Sequence, residues 1–137
     1  MTGDKTKILL VDDFEMVRLM LRKSLNRLGY QEIVEAQDGK EAWDLLTRAQ
    51  MANQPFGMIF CDWSMPEMTG MEVLEKCRSS KEFKNLPFVM VTAEAEQEGV
   101  VKALKAGANE YLIKPISAET LQKKIEKILK IKTNRAS

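Results

Sequence analysis

Histidine is absent from the 137 residues, which removes serine–histidine and cysteine–histidine catalysis, imidazole zinc ligation and any phosphohistidine carried by this chain. Cysteine is scarce: Cys61 sits in an apolar strand-like run and Cys77 in a helical one, with no spacing that suits a metal site or a disulfide framework. Both read as reduced core thiols, which points to the cytosol. No charge of one sign dominates, since 21 Lys and Arg face 20 Asp and Glu, so the chain as a whole has no field that gathers nucleic acid. No apolar run reaches membrane-spanning length, and Met1-Thr2-Gly3-Asp4-Lys5 lacks the apolar stretch of a signal peptide. With imidazole and thiolate excluded, any metal held here is a hard cation on oxygen ligands. The expectation is one cytoplasmic, monomeric domain over residues 1–137, with a core of about 6–131 that needs neither disulfide nor metal to fold.

What is present is a short apolar run followed by an amphipathic helical stretch, five times over. Lys7-Ile8-Leu9-Leu10-Val11 ends in Asp12-Asp13, and a helix with Val17, Leu21, Leu25 and Leu28 on one stripe runs from Phe14 to Gly29. Glu32–Ala36 is a second strand; Asp38-Gly39 turns into a helix from about Lys40 to Met51 through Ala42, Leu45 and Leu46. The run after Pro55 that ends at Asp62 is a third strand, and a helix from Gly70 uses Val73, Leu74 and Cys77 before ending near Ser79-Ser80. Leu86–Thr92 is a fourth strand, with a helix through Val100, Val101, Leu104 and Ala108. Glu110–Ile113 is the fifth, followed by Lys114-Pro115 and a helix from about Ser117 to Ile131 with Leu121, Ile125, Ile128 and Leu129 inward; residues 133–137 read as a frayed tail. Such alternation predicts an α/β fold: a single doubly wound, five-stranded parallel sheet in the flavodoxin-like order 2-1-3-4-5, with helices on both faces.

In that order the polar ends of four strands, Asp12-Asp13, Asp62, Thr92 and Lys114, share the carboxyl edge of the sheet around the switch point. A single acid there would be read as a turn or cap residue. Three acids, a hydroxyl and a lysine together are not required by any core. Clustered carboxylates repel unless a positive group neutralises them, and Mg²⁺ with several waters is the economical one. A carboxylate nucleophile, a hard cation, a hydroxyl and an ammonium are the parts that phosphoryl transfer needs. The expected product is an acyl phosphate on Asp62, whose charge and acceptor oxygens would draw Thr92 and Lys114 inward, a switch rather than a turnover reaction.

Asp12-Asp13, the block Asp62-Trp63-Ser64-Met65-Pro66-Glu67-Met68-Thr69-Gly70, Thr92-Ala93-Glu94 and Lys114-Pro115, with Tyr111 three residues before the lysine, resemble the receiver domain of two-component response regulators, and among these the stand-alone CheY-like chemotaxis type. The resemblance covers essentially the whole chain. It implies that Asp62 is the phosphoacceptor and that Asp12, Asp13, Asp62 and the Ser64 backbone carbonyl serve Mg²⁺, Asp12 through water. It further implies that Thr92 and Lys114 contact the phosphoryl group, that Tyr111 swings inward as Thr92 moves, and that the Lys114–Pro115 peptide is cis. The implied donor is a phosphohistidine on a sensor histidine kinase or phosphotransfer protein. The implied output is a downstream target, of flagellar motor switch type in a chemotactic pathway, reached through the face of helix four, strand five and helix five (Val100, Leu104, Tyr111, Ile113 and Lys124), with a phosphatase as a further partner.

Two departures stand out. Ser64 replaces the Asn of the chemotaxis receivers and, with Glu94, flanks the path of the attacking water, so the dephosphorylation rate is expected to differ. The segment before Pro55 is also longer. Trp63 is open between a lid over the site and ordinary loop packing. Of the methionines, Met65 and Met68 are the two placed to meet a partner. Lys123, Lys124, Lys127, Lys130, Lys132 and Arg135 make the last helix basic, a solvated face unless it docks something. The rival readings are a receiver cut from a hybrid kinase or DNA-binding regulator, and a Mg²⁺-dependent phosphohydrolase working through an aspartyl-phosphate, although Asp12-Asp13-Phe14-Glu15-Met16 lacks the Asp-x-Asp-x-Thr spacing of that class. A flavodoxin-type or P-loop phosphate site is excluded, since Asp12-Asp13 would repel the phosphate where glycines and hydroxyls are needed.

Overall fold

The computed structural model describes residues 6–93 and 97–136. Five strands alternate with five helices: β1 (Ile8–Val11), α1 (Glu15–Arg27), β2 (Ile33–Ala36), α2 (Gly39–Met51), β3 (Met58–Asp62), α3 (Gly70–Ser79), β4 (Phe88–Thr92), α4 (Gln97–Lys105), β5 (Glu110–Ile113) and α5 (Ala118–Ala136). The strands pair parallel in the order β2-β1-β3-β4-β5. The expected topology therefore holds.

Both faces of the sheet are covered, which is why its strands are apolar at consecutive positions. Leu9, Val11, Ile59 and Cys61 pack with Ala42 and Leu46 of α2, Val73, Leu74 and Cys77 of α3 and Ala103 of α4. Ile8, Leu10, Met58 and Phe60 point the other way, onto Leu21 and Leu25 of α1 and Leu121, Ile125 and Ile128 of α5. β1 and β3 are buried along their whole length; β1 runs into Asp12 and β3 ends at Asp62.

The element ends are set by local chemistry. Asp38 Oδ1 accepts from Glu41 N at 2.7 Å and starts α2 at Gly39. Thr69 and Glu72 form a reciprocal cap at the start of α3. Ser117 Oγ accepts from Thr120 N at 3.1 Å, so Ser117 precedes α5 rather than opening it. β4 starts at Phe88, not Leu86, because Leu86 N is engaged in a turn with Phe83 O and Pro87 has no N–H to donate.

Three expectations are corrected. Among the described side chains of α4 the buried one is Ala103, whereas Val101 is 41% exposed, Leu104 is 42% exposed in keeping with its expected place on the docking face, and Ala108 lies beyond the helix, after Gly107 at φ 112°. The helix crosses the sheet on its smallest side chain, which leaves the larger ones outward. α5 continues to Ala136 instead of fraying at Thr133, since neither Gly nor Pro interrupts its run of good helix formers. Met65 is buried in the core beside β3, not presented to a partner; among the described residues the exposed methionines are Met16, Met20 and Met51.

Candidate functional site

β1, β3, β4 and β5 deliver their last residues to one edge, and four of the expected side chains meet there. Asp12 and Asp62 are 1% and 5% exposed, while Asp13 is open to solvent. A carboxylate oxygen from each of Asp12, Asp13 and Asp62 lies within 4.8 Å of the other two. Lys114 bridges two of the acids from the end of β5: its Nζ is 2.9 Å from Asp12 Oδ2 and donates to Asp62 Oδ1 at 3.3 Å.

Backbone contacts hold each acid in place. Asp12 N donates to Ala36 O on β2, and Asp12 Oδ1 accepts from Phe14 N at 2.9 Å. After Asp62, Trp63 N donates to Val91 O, and Gly70 N closes the loop onto Trp63 O at 2.9 Å. A Cβ at Gly70 would collide with the Asp62 carbonyl oxygen, so the loop can fold back this tightly only on glycine. The Lys114–Pro115 bond is cis, as expected.

The electrostatics follow from burial and charge. Burial, and then the Asp12 carboxylate, push Asp62 up to about 6 against the opposing pull of Lys114. Burial also acts to lower Lys114, but the Asp12 and Asp62 carboxylates outweigh it and hold the ammonium above its ordinary range. Asp12 Oδ2 is buried and accepts no hydrogen bond among the described residues, its contact with Lys114 being an ion pair. An oxygen in that condition, with two other carboxylates in reach, fits a hard cation or its water. The thiols take no part: burial first, with Asp62 adding, raises Cys61 well above the usual thiol range, and burial pushes Cys77 up to about 11.

A cavity of about 340 Å³ opens beside Asp62 and runs toward α4, lined by Trp63, Ser64, Thr92, Val100, Tyr111 and Lys114 among others. Thr92 and the half-buried Tyr111 ring face it together, so the two residues expected to move share one space. Trp63 packs toward α4 as well, where a methyl at Gly99 would sit 3.6 Å from its indole. Ser64 is exposed and also borders a shallower hollow with Asp13, Met65 and Pro66. Glu94 lies outside the described residues, as do the side chains of Lys130, Lys132 and Arg135.

On the far side of β5, Leu104, Ile113 and the ring of Tyr111 form part of the surface with Lys124. Lys124 is engaged there: its Nζ donates to Glu110 Oε1 at 2.9 Å, and Lys127 Nζ reaches the other Glu110 oxygen at the same distance. Two features at the edge escape a reading by motif. Phe14, 64% exposed, lines the cavity. Arg18 donates to Asp12 O at 2.6 Å and to Glu35 Oε1 at 2.8 Å.

The response regulator receiver domain profile matches residues 8–126. The chain is similar to the chemotaxis protein CheY homolog of Campylobacter jejuni, with 42% identity over 123 residues that span 90% of this chain and 92% of that one. Among solved structures it is similar to chemotaxis protein CheY4 of Vibrio cholerae, at a TM-score of 0.76 and 37% identity over 89% of this chain and 97% of that one. It is also similar to the receiver domain of a sensor histidine kinase from Pseudomonas aeruginosa PAO1, whose structure holds a magnesium ion in its active site cleft, at a TM-score of 0.74 and 29% identity over 89% of this chain and 93% of that one. A parallel 2-1-3-4-5 sheet, an acid cluster bridged by the lysine after β5, and these matches over nearly its whole length together establish that the chain belongs to the receiver domain family of CheY-like response regulators in two-component signalling.

Proposed function

We propose that the chain is the phospho-switch of a chemotaxis-type pathway, accepting a phosphoryl group on Asp62 from a phosphohistidine on a sensor kinase or phosphotransfer protein. The observation that carries this reading is the meeting of Asp12, Asp13 and Asp62 within 4.8 Å beside Lys114. Asp12, Asp13, Asp62 and the Ser64 carbonyl would hold Mg²⁺, which when bound offsets charge on the phosphoryl oxygens.

Asp62 supplies the nucleophile. Its carboxyl, raised to about 6 in the absence of a cation, is mostly ionised at neutral pH, and a bound cation favours the ionised form further. An Asp62 oxygen forms the new O–P bond as the donor's N–P bond breaks, and the imidazole leaves with the electron pair of that bond and takes up a proton from water. Lys114 pairs with the transferred group, and Thr92, facing the same cavity, donates its hydroxyl to it. Tyr111 then moves into the cavity it borders. Ser64 and Glu94 set the rate at which water removes the group. The target, of motor-switch type, reads Val100, Leu104, Tyr111, Ile113 and Lys124; the 42% and 37% exposure of Leu104 and Ile113 supports an apolar docking strip there.

Intact mass after incubation with a small-molecule phosphodonor tests the reading. The expected result is a gain of one phosphoryl group that requires both Mg²⁺ and Asp62 and is absent from Asp62→Asn. A gain that persists in Asp62→Asn would overturn it.

A further inference from the structure

We infer that Arg18 is the positioning residue of the acid pocket, holding the Asp12–Asp13 peptide so that the carboxylates of both residues converge on the cation. The inference rests on the Mg²⁺ reading above and adds to it a residue outside the pocket itself.

Arg18 lies in the second turn of α1 with its side chain only 14% exposed. Its guanidinium does two things at once: Nε donates to Glu35 Oε1 on β2 at 2.8 Å, and Nη1 donates to Asp12 O at 2.6 Å. That oxygen belongs to the peptide joining the two acids. The bond therefore fixes the plane from which both Asp12 and Asp13 project. Asp12 N is held by Ala36 O at 3.1 Å and Asp12 Oδ1 by Phe14 N at 2.9 Å. With the carbonyl also held, the one polar atom of Asp12 left without a hydrogen bond is the buried Oδ2, which faces Lys114 and the other carboxylates.

The planar fork presents Nε and Nη1 as two separate, fixed donors, one to each of two acceptors on different elements. Glu35 braces the fork. Arg22 grips its second oxygen at 2.7 Å, and although burial acts to raise Glu35, the two arginines hold it below the usual carboxylate range. The charges acting on Asp62 are those of Asp12, Lys114 and Asp13, so Arg18 works through the peptide it holds. Arg22 supplies a matched control, since it shares Glu35 but gives its other hydrogen bond to Ile33 O, far along β2 from the acids.

The test uses a Trp43→Phe background, which leaves Trp63 as the single tryptophan beside the pocket, and titrates Mg²⁺ by fluorescence and by melting temperature. Groups that orient metal ligands are worth about 10- to 100-fold in affinity, so Arg18→Met is expected to weaken Mg²⁺ binding by about tenfold while Arg22→Met stays within about twofold. Both variants lose one arginine from Glu35, so a similar drop in melting temperature without Mg²⁺ separates positioning from bulk stability. If Arg18→Met does not fold, Arg18→Lys is compared with Arg22→Lys by the same criterion. Equal Mg²⁺ affinity in the paired variants overturns the inference and leaves the Mg²⁺ reading intact. A wild type that responds to Mg²⁺ in neither signal overturns both.

Discussion

Lys124 Nζ lies 4.4 Å above the ring of Tyr111 while donating to Glu110, the residue immediately before that tyrosine. One ammonium thus ties the aromatic ring expected to move to a carboxylate that is 5% exposed. The lysine expected at the docking face is also a clasp from α5 onto β5.

Removing the Glu110 charge should loosen that clasp. Burial acts to raise the Glu110 carboxyl, but hydrogen bonds from Lys127 and Lys124 outweigh it and hold the group below the ordinary range. A depressed folded-state value contributes stability above the unfolded one and loses it as pH falls through the folded one. Glu110→Gln is therefore expected to cost about 1 kcal/mol at pH 7, discounted for the exposed Lys127, and less at a pH well below the ordinary carboxylate range. Urea denaturation of both proteins at the two pH values measures the difference.

Asp62 has the opposite sign. Its folded value, about 6, stands above the ordinary 3.8, so protonation favours the folded state and the benefit is lost as pH rises through about 6. In Mg²⁺-free buffer, Asp62→Asn should melt higher than wild type at pH 7, by on the order of 2 kcal/mol, and the gap should close toward pH 4. Mg²⁺ should raise the melting temperature of the wild type much more than that of the variant. A variant no more stable than wild type at pH 7 would count against the buried, repelling cluster.

Glu67, in the loop after β3, and Gly70, which opens α3, should respond in opposite directions. Gly70→Ala would drive a Cβ into the Asp62 carbonyl and to 3.0 Å from Met90 Sδ, with an expected loss of about 2 kcal/mol or more. Glu67 stands at φ 69°, where a side chain is strained, and Glu67→Gly should gain about 0.5 kcal/mol after the entropy of the unfolded glycine is counted. Thermal melts of the two variants decide both.

On the proposed placing of Ser64 beside the path of water to an Asp62 phosphoryl group, Ser64→Asn, which adds an amide donor and acceptor there, is expected to change the rate of its loss several-fold. Phosphate-decay kinetics on the phosphorylated protein provide the measurement. An unchanged rate would show that Ser64 does not tune the site.

Much of this architecture is written in local pattern. β1, β3 and β4 are apolar at consecutive positions and run into a polar residue, and an apolar stripe follows each strand, so the parallel sheet and the meeting of Asp12, Asp13, Asp62 and Lys114 at its edge follow from connection rules. The stripe of α4 misleads because Val100 and Val101 each keep helical spacing with Leu104 while the buried contact is made by Ala103. A hydrophobic period identifies a helix, but not which of its flanks reaches the sheet. Met65 misleads for a related reason: a loop residue by sequence, it turns into the core between β3 and α3.

The order of residues by itself determined the fold class, the edge at which chemistry sits and the residue types gathered there, because those depend on short-range periodicity and on the fixed handedness of βα connections. Only the tertiary structure decided that Arg18 holds the Asp12 carbonyl, that Glu110 is clasped by Lys124 and Lys127, and that Asp12 Oδ2 is left facing the pocket. These contacts join residues 6 to 17 positions apart on different elements. A charged side chain on a helix surface looks the same in sequence whether it faces water or a backbone carbonyl, and packing alone brings that carbonyl within reach.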